Sequence, residues 1–301
     1  MLEGVFAEAG CEGFLVAKRL GGPGAAVALA GDSPVALASV FKIAVALAFE
    51  RLVAAGELDP ATRVHLLPET RTPGPTGLSV CADPAELSAR DLAYFMMSLS
   101  DNAATDALID LVGLPRISAV LREIGLTQTV IPDRMADELD AVGAELGFAD
   151  WRNLTRAQEG ELGEAARAKS IDKAAIARSK PVDPDRGWRG TAREMAQLIE
   201  AIWLDRAGPP AACDRVRWLM SHQGKSRIAA AMPEGTRAWA KSGSLFGIWR
   251  NEAGVVKLPE GAPFVVAVFT RAHVPFARGG EIEVAIGKAC RLAVDAVMAP
   301  A

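Results

Sequence analysis

Two kinds of hydrophobic patterning divide the chain. Short, apolar, β-rich runs stand near both ends, at residues 13–17 and 25–30 and again three times between Trp239 and Phe269. The middle is different. Apolar residues recur there every three or four positions and predict helices over residues 40–55, stopping at Gly56, and over 86–99, with Ser88 and Asp91 able to cap near its start. A further helix is predicted over 103–112, closed by Gly113. Residues 1–10 read as a short first helix and 281–298 as a closing one. Gly21-Gly22-Pro23-Gly24 lies between the first two strand-like runs and predicts a hairpin turn, not a phosphate loop. Strands from both ends around a helical middle predict a mixed α/β (α+β) fold in one domain spanning 1–301. Its α/β part takes in about 1–40 and 206–301, its helical part about 41–205, and a cleft between them is the expected site.

Three short motifs stand in order along this pattern: Ser39-Val40-Phe41-Lys42, Ser100-Asp101-Asn102 and Lys241-Ser242-Gly243. Each is common alone. An S-x-x-K match arises about once in a chain of this length from the abundance of Ser and Lys, and Ser170-Ile171-Asp172-Lys173 is such a match. The chemistry nevertheless needs these residue types. A serine hydroxyl is a poor nucleophile until a neighbouring base takes its proton. At the start of the helix predicted over 40–55, Ser39 has Lys42 one turn away on the same face. The positive helix end favours a developing oxyanion. That field, partial burial and a second lysine would together depress the pKa of Lys42 and let it act as general base. The bland alternative is a serine N-cap followed by a solvated lysine.

Ser100-Asp101-Asn102 falls between two helical patterns. It is either an Asx-capped turn or a functional loop. In the second case Ser100 carries a proton to the leaving nitrogen, Asn102 holds a substrate amide and Asp101 stiffens the loop. Lys241-Ser242-Gly243-Ser244 precedes the β-like run 245–257 and reads as an inner strand edge. Lys241 would supply positive charge for a substrate carboxylate and tune Ser100. Ser242 would hydrogen-bond that carboxylate, and Gly243 would admit the substrate backbone. The N–H of Ser244 would join that of Ser39 in an oxyanion hole. A routine exposed strand explains one motif; it does not explain three in order.

With these motifs and their flanks, the chain resembles the class A β-lactamases among the penicillin-recognising serine hydrolases. The likeness extends to Gly56-Glu57-Leu58-Asp59, Leu121-Arg122-Glu123-Ile124-Gly125 and the approach Arg227-Ile228-Ala229-Ala230-Ala231-Met232-Pro233. It also takes in the strand at 264–270 and the last helix. The resemblance implies a β-lactamase/transpeptidase-like fold, an antiparallel sheet flanked by helices plus an all-α subdomain. It implies a serine hydrolase acylated by a β-lactam or a related ester or amide. Ser39, Lys42, Ser100 and Lys241 would be catalytic. Asn102, Ser242, Gly243, Ser244 and Arg227 would bind substrate, with no metal and no cofactor. Arg227 falls where some relatives carry an arginine for the β-lactam carboxylate; a plain surface arginine is the other reading.

Three departures from that pattern matter. Relatives read E-x-E-L-N where this chain has Ala136-Asp137-Glu138-Leu139-Asp140, so Ala136 replaces the glutamate that clears the acyl-enzyme. Asp137 or Glu138 would have to substitute. About forty additional residues then precede Thr191, an insert at about 141–187 that is too long for a structureless loop in a compact domain. One or two short helices are expected there, as a lid, as a dimer contact or as a surface excursion. Finally, residues 1–10 carry Glu3 and Glu8 and no apolar core of an export signal, so a cytoplasmic location is expected, or a periplasmic or secreted one if a leader has been removed.

A net charge of −4 gives no basic patch, so nucleic acid and anionic membranes are not expected partners; a small-molecule substrate is. Cys11, Cys81, Cys213 and Cys290 lack C-x-x-C spacing and read as reduced thiols. His65, His222 and His273 stand apart from the motifs, which leaves a Ser-His-Asp triad unsupported. The oligomeric state stays open. Besides turnover of a β-lactam, the residues allow a slow-deacylating penicillin-binding protein, a cytoplasmic esterase, or a non-catalytic ligand sensor.

Overall fold

The structure, a computed structural model, describes residues 1–22 and 26–299. Helix α1 (Leu2–Glu8) leads into β1 (Cys11–Arg19) and β2 (Val27–Leu29). Next come β3 (Val35–Ala36), a 3₁₀ turn at Ala38–Phe41 and α2 (Lys42–Ala54). The pair β4 (Arg63–Leu66) and β5 (Ala85–Ser88) precedes α3 (Ala89–Ser98), α4 (Asn102–Val112) and α5 (Leu114–Glu123). Then follow α6 (Met135–Glu145), α7 (Trp151–Gln158), α8 (Glu164–Ser170) and α9 (Lys173–Ile176). After β6 (Arg189–Gly190), α10 (Ala192–Trp203) and α11 (Pro210–Met220) come β7 (Arg237–Leu245), β8 (Trp249–Lys257), β9 (Pro263–Ala272) and α12 (Gly279–Met298).

The main sheet is antiparallel, in the order β2-β1-β9-β8-β7. Strand alternation sends residues to two cores. Val265, Ala267 and Phe269 of β9 join Val16, Ala253 and Val255 on the face toward α10 and the helical part. Phe264, Val266 and Val268 meet Leu15, Ala17 and the apolar stripe of α12 on the other. Helix α2 is buried on every side from Lys42 to Glu50 and packs against α3, α4, α5 and α11. A helix apolar all round belongs in the middle of a fold. It thereby holds Lys42 away from water.

Several expectations need correcting. The segment carrying Ser39 is a 3₁₀ turn, and the α-helix begins only at Lys42. Ala38 takes a left-handed φ of +46°, which an L-residue cannot carry into an α-helix. The helix expected from residue 86 begins at Ala89, because residues 85–88 pair with β4 in the register Arg63↔Ser88. The Ser88 cap is as expected and accepts from Asp91 N at 3.3 Å. The run 245–257 is broken after Leu245 by Phe246 and Gly247, with φ of +46° and +63°, and β8 starts at Trp249. The motif strand β7 is the sheet's edge strand, not an inner one. The insert holds three short helices, α7 to α9, and a 3₁₀ turn at Lys180–Val182. Aspartates cap two of them: Asp150 accepts from Asn153 N at 2.7 Å, and Asp172 from Ala174 N at 2.9 Å. The turn expected at Gly21-Gly22-Pro23-Gly24, and Ala25 after it, lie partly outside the described residues. Among those residues, no helix is long and apolar enough to cross a membrane.

Candidate active site

The turn that carries Ser39 is held from two sides. Asn251 of β8 donates through Nδ2 to Ala36 O at 2.8 Å and Leu37 O at 3.2 Å. From the other side Leu37 N donates to Trp188 O at 3.0 Å, and the Trp188 ring stacks on Phe41 at 4.8 Å. These contacts explain how Ala38 keeps its left-handed conformation. Ser39, half-buried, faces a cleft of about 570 Å³ that is also lined by Ser100, Asn102, Ser242, Gly243 and Ser244. The three motifs therefore meet at one place.

Lys42 is fully buried and its Nζ donates to Ser100 O at 2.6 Å, Asn102 Oδ1 at 3.0 Å and Ser100 Oγ at 3.3 Å. Burial and the nearby charge of Lys241 push its pKa well below the usual lysine range, against the opposing pull of Asp101 and Asp106. Lys241 Nζ donates to Ser100 Oγ at 3.1 Å and to Ser242 O at 2.9 Å. Its pKa falls to about 7, driven by burial, countered by Glu252 and aided by Arg227. One hydroxyl thus stands between two lysines whose charged forms disfavour each other. Such a chain can take a proton at one end and return it at the other.

Asp101 does what stiffening requires. It caps α4 by accepting from Ala104 N at 3.1 Å, takes a hydrogen bond from Ser79 Oγ at 3.2 Å and another from Leu78 N. Ser100 sits beside it at a left-handed φ of +59°. Asn102 spends part of its amide inside the protein, donating to Pro73 O at 2.9 Å while its oxygen receives Lys42.

Strand β7 touches the turn that carries Ser39. A Cβ on Gly243 would stand 2.9 Å from Ser39 N and 3.0 Å from Ala38 Cβ, so only glycine fits. The N–H of Ser242 leaves the ladder and donates to Gln223 Oε1. Amides two apart on a strand point the same way, which aims the N–H of Ser244 toward the cleft it lines, beside Ser39. Arg227 does not reach into that space with a free guanidinium. It donates to Gly243 O at 3.0 Å, Asn251 O at 2.9 Å and Ser244 Oγ at 2.9 Å, and pairs with Glu283 at 3.3 Å.

Sequence reasoning passed over Gln223, Asn251 and Glu252. Buried Glu252 accepts from Gln223 Nε2 and, at 2.7 Å, from Ile228 N; burial pushes its pKa up. Gln223 thus ties the Lys241 strand to an internal carboxylate. It lies in a loop after α11 with no motif around it, and only the run of buried polar residues in β8, Asn251-Glu252, hinted at such a network.

The wall opposite the motifs is apolar. Helix α6 presents Met135 and Leu139, one turn apart, while Ala136 and Asp137 do not line the cleft. Asp106 fixes the start of this helix, accepting from Met135 N at 2.7 Å and Ala136 N at 2.9 Å. Glu138 points the other way. It is buried 3.1 Å from Lys180 Nζ, with burial raising its pKa to about 7. Insert helix α7 completes the wall with Trp151 and Thr155. Among the described residues, no carboxylate and no histidine lines the cleft. No group of three or more His, Cys, Asp and Glu that could hold a metal occurs among them either. Cys11, Cys213 and Cys290 are buried free thiols and Cys81 an exposed one.

A mixed sheet-and-helix fold thus brings a serine, two buried lysines and a bridging hydroxyl together in one cleft. The chain belongs to the β-lactamase enzyme family, whose profile matches residues 2–297. It is 31% identical over 258 residues to the β-lactamase regulatory protein BlaB of Streptomyces cacaoi, covering 81% of this chain and 80% of that one. The β-lactamase of Sphaerobacter thermophilus is similar in structure, with a TM-score of 0.75 and 27% identity over 100% of this chain and 98% of that one. An acyl-enzyme complex of a PBP-A mutant with penicillin G shares the fold at a TM-score of 0.72 and 20% identity, covering 98% of this chain and 95% of that one.

Proposed function

We propose that this protein is a serine acyl-enzyme former that captures a β-lactam or a related ester or amide on Ser39 and releases it slowly. Neutral Lys42, left with two N–H donors and a lone pair, gives up one of the three contacts it makes as an ammonium and takes the Ser39 proton as Oγ attacks the carbonyl carbon. The N–H groups of Ser39 and Ser244 hold the oxyanion. Ser100 passes a proton from the lysine pair to the leaving nitrogen as the C–N bond breaks. Lys241 and Ser242 anchor the substrate carboxylate, and Asn102 with its remaining amide hydrogen meets the side-chain amide. The product of these steps is an ester on Ser39.

The observation that carries slow release is the wall of α6. Met135 and Leu139 stand at the cleft, and the nearby carboxylate, Glu138, is turned to Lys180. Water beside the ester therefore lacks a base. The regulatory name of the Streptomyces cacaoi relative is in keeping with covalent capture in place of turnover. The hydrolytic reading, a working β-lactamase, draws support from the family and from the Sphaerobacter thermophilus enzyme. It requires a deacylation base that this wall does not offer.

Intact mass followed over time with benzylpenicillin and a cephalosporin separates the two. A persistent adduct with little product is expected, absent in Ser39→Ala, with faster product release in Leu139→Glu. Rapid turnover by the unaltered protein would establish the hydrolase instead. No adduct with either compound would refute the assignment of β-lactams.

A further inference from the structure

A second cavity, of about 490 Å³, lies between β1 and α10. Among the described residues it shares no lining side chain with the Ser39 cleft. Helical period builds one wall. Arg193, Ala196, Gln197, Glu200 and Ala201 follow the i, i+3, i+4, i+7, i+8 spacing of a single face of α10. Strand period builds the other, since Val16 and Lys18 of β1 point to the same side. The hollow exists because α10 carries alanine at 196 and 201, too short to fill the space against the strand. Ile124, which follows α5, and Arg206, which follows α10, also line it.

The lining is apolar in part and cationic in excess. Val16 and Ala196 are buried, and Ile124 and Ala201 half-buried. Glu200 is already engaged, accepting from Lys18 Nζ at 2.7 Å and from Gly21 N at 3.3 Å. Arg193 is engaged too, with two hydrogen bonds to Asp32 at 2.6 and 2.8 Å. Arg206 is different. Its main chain is fixed, with N donating to Ala201 O at 2.8 Å after the left-handed turn at Asp205, φ +53°. Its side chain is exposed and has no ion pair or hydrogen bond among the described residues. Lys18, Arg193 and Arg206 therefore face the carboxylates of Glu200 and Asp32 with one positive charge left over.

We propose that this cavity is a second ligand site and that it takes a small organic monoanion, a carboxylate borne on a short apolar body. The carboxylate pairs with the guanidinium fork of Arg206, the group still without a partner. The apolar body lies on Val16, Ala196 and Ala201 and leaves water there. A cation is repelled by the surplus charge, and a second negative charge on the ligand would meet Glu200. No group of the Ser39 cleft takes part, so the site stands apart from acylation.

Titration calorimetry on the whole chain, with hexanoate and hexan-1-ol as probes, tests this. Hexanoate should bind at one site per molecule, and hexan-1-ol at least about tenfold more weakly. Arg206→Ala should weaken hexanoate by about tenfold, with part of the loss recovered in Arg206→Lys. Ala201→Phe fills the hollow and should abolish binding. Arg206 is exposed, so its variants should melt at the temperature of the unaltered protein and keep the test valid if Ala201→Phe fails to fold. Absence of hexanoate binding would overturn the site. So would equal binding to the unaltered protein and Arg206→Ala, which would put the carboxylate elsewhere, as at Lys241. Neither result touches acylation at Ser39, which intact mass decides separately.

Discussion

A Cβ on Gly243 would stand 2.9 Å from the backbone nitrogen of Ser39, so the edge strand and the Ser39 turn touch at a point with room for hydrogen alone. This contact sets the spacing between the amides of Ser39 and Ser244. Gly243→Val must move β7 outward or push the 3₁₀ turn away. Acylation should fall by about a hundredfold or more, the usual effect of a misplacement near 1 Å. The fold should persist, because β7 keeps its ladder with β8. Stopped-flow or mass measurement of adduct formation, alongside circular dichroism, checks this; a variant acylated at the normal rate would show that the contact is not limiting.

The two lysines predict a bell-shaped pH profile. Lys42 must be neutral to accept a proton, so acylation efficiency should rise through a pKa well below the ordinary lysine value. Lys241 must be charged to anchor a carboxylate, so efficiency should fall as pH rises through about 7. Lys241→Arg keeps a charge at all accessible pH and should abolish the falling limb while lowering the maximum rate. A falling limb that survives this substitution would assign it to another group.

Asp101 ties the Ser100 loop to two neighbours and caps α4. Asp101→Ala removes a helix cap worth about 1 kcal/mol and leaves the buried Leu78 N–H unpaired at a further cost of about 1–3 kcal/mol. Denaturant unfolding should register a loss of that size. Acylation should slow as well, since Ser100 then loses the support for its left-handed conformation.

Gln223 accepts from Ser242 N and donates to Glu252, and in the mechanism proposed above it touches no reacting atom. Gln223→Ala should weaken recognition of donors that carry a carboxylate, raising the concentration needed for half-maximal acylation more than it lowers the limiting rate. Gln223→Asn, too short to span both partners, should not rescue it. An unchanged half-saturation concentration would remove Gln223 from the positioning network.

Glu50 lies far along α2, buried, with Arg215 at 3.8 Å, and burial raises its pKa from 4.5 to about 7. A carboxylate with a raised folded pKa supports stability fully below pH 4.5 and loses that support as pH rises through 7. Across this window the wild type should lose on the order of 3 kcal/mol that Glu50→Gln does not lose. Unfolding at pH 4.5, 6 and 8 reads the difference directly; parallel curves would contradict the burial of the charge.

Much of this protein was legible before any fold was known. The order of Ser39, Lys42, Ser100 and Lys241, the helical middle and the strand-rich ends are local signals carried by residue type and spacing. The capping by Ser88 and Asp101 and the stop at Gly113 are equally local, because a cap satisfies amides three residues away. Other features were misread for the same reason. Residues 85–88 look like the start of a helix until β4, some twenty residues earlier, offers them a ladder. The turn at Ala38 looks like a helix start until Asn251 and Trp188, from distant segments, hold it in a conformation its own residues disfavour.

What the sequence determined by itself is the order of the three motifs and the absence of a glutamate at position 136. Only the tertiary structure decided which way the remaining acids face. Residues 135 and 139 share one side of α6 by helical period, and packing chose that side for the cleft while sending Glu138 to Lys180. It likewise decided that Gln223 should hold the Lys241 strand and that Trp151 should meet Phe246. Those pairings join residues that are 19 or more positions apart, and no local propensity encodes them. They follow from burial: a polar atom or an aromatic face removed from water takes whichever partner the packed chain brings within reach.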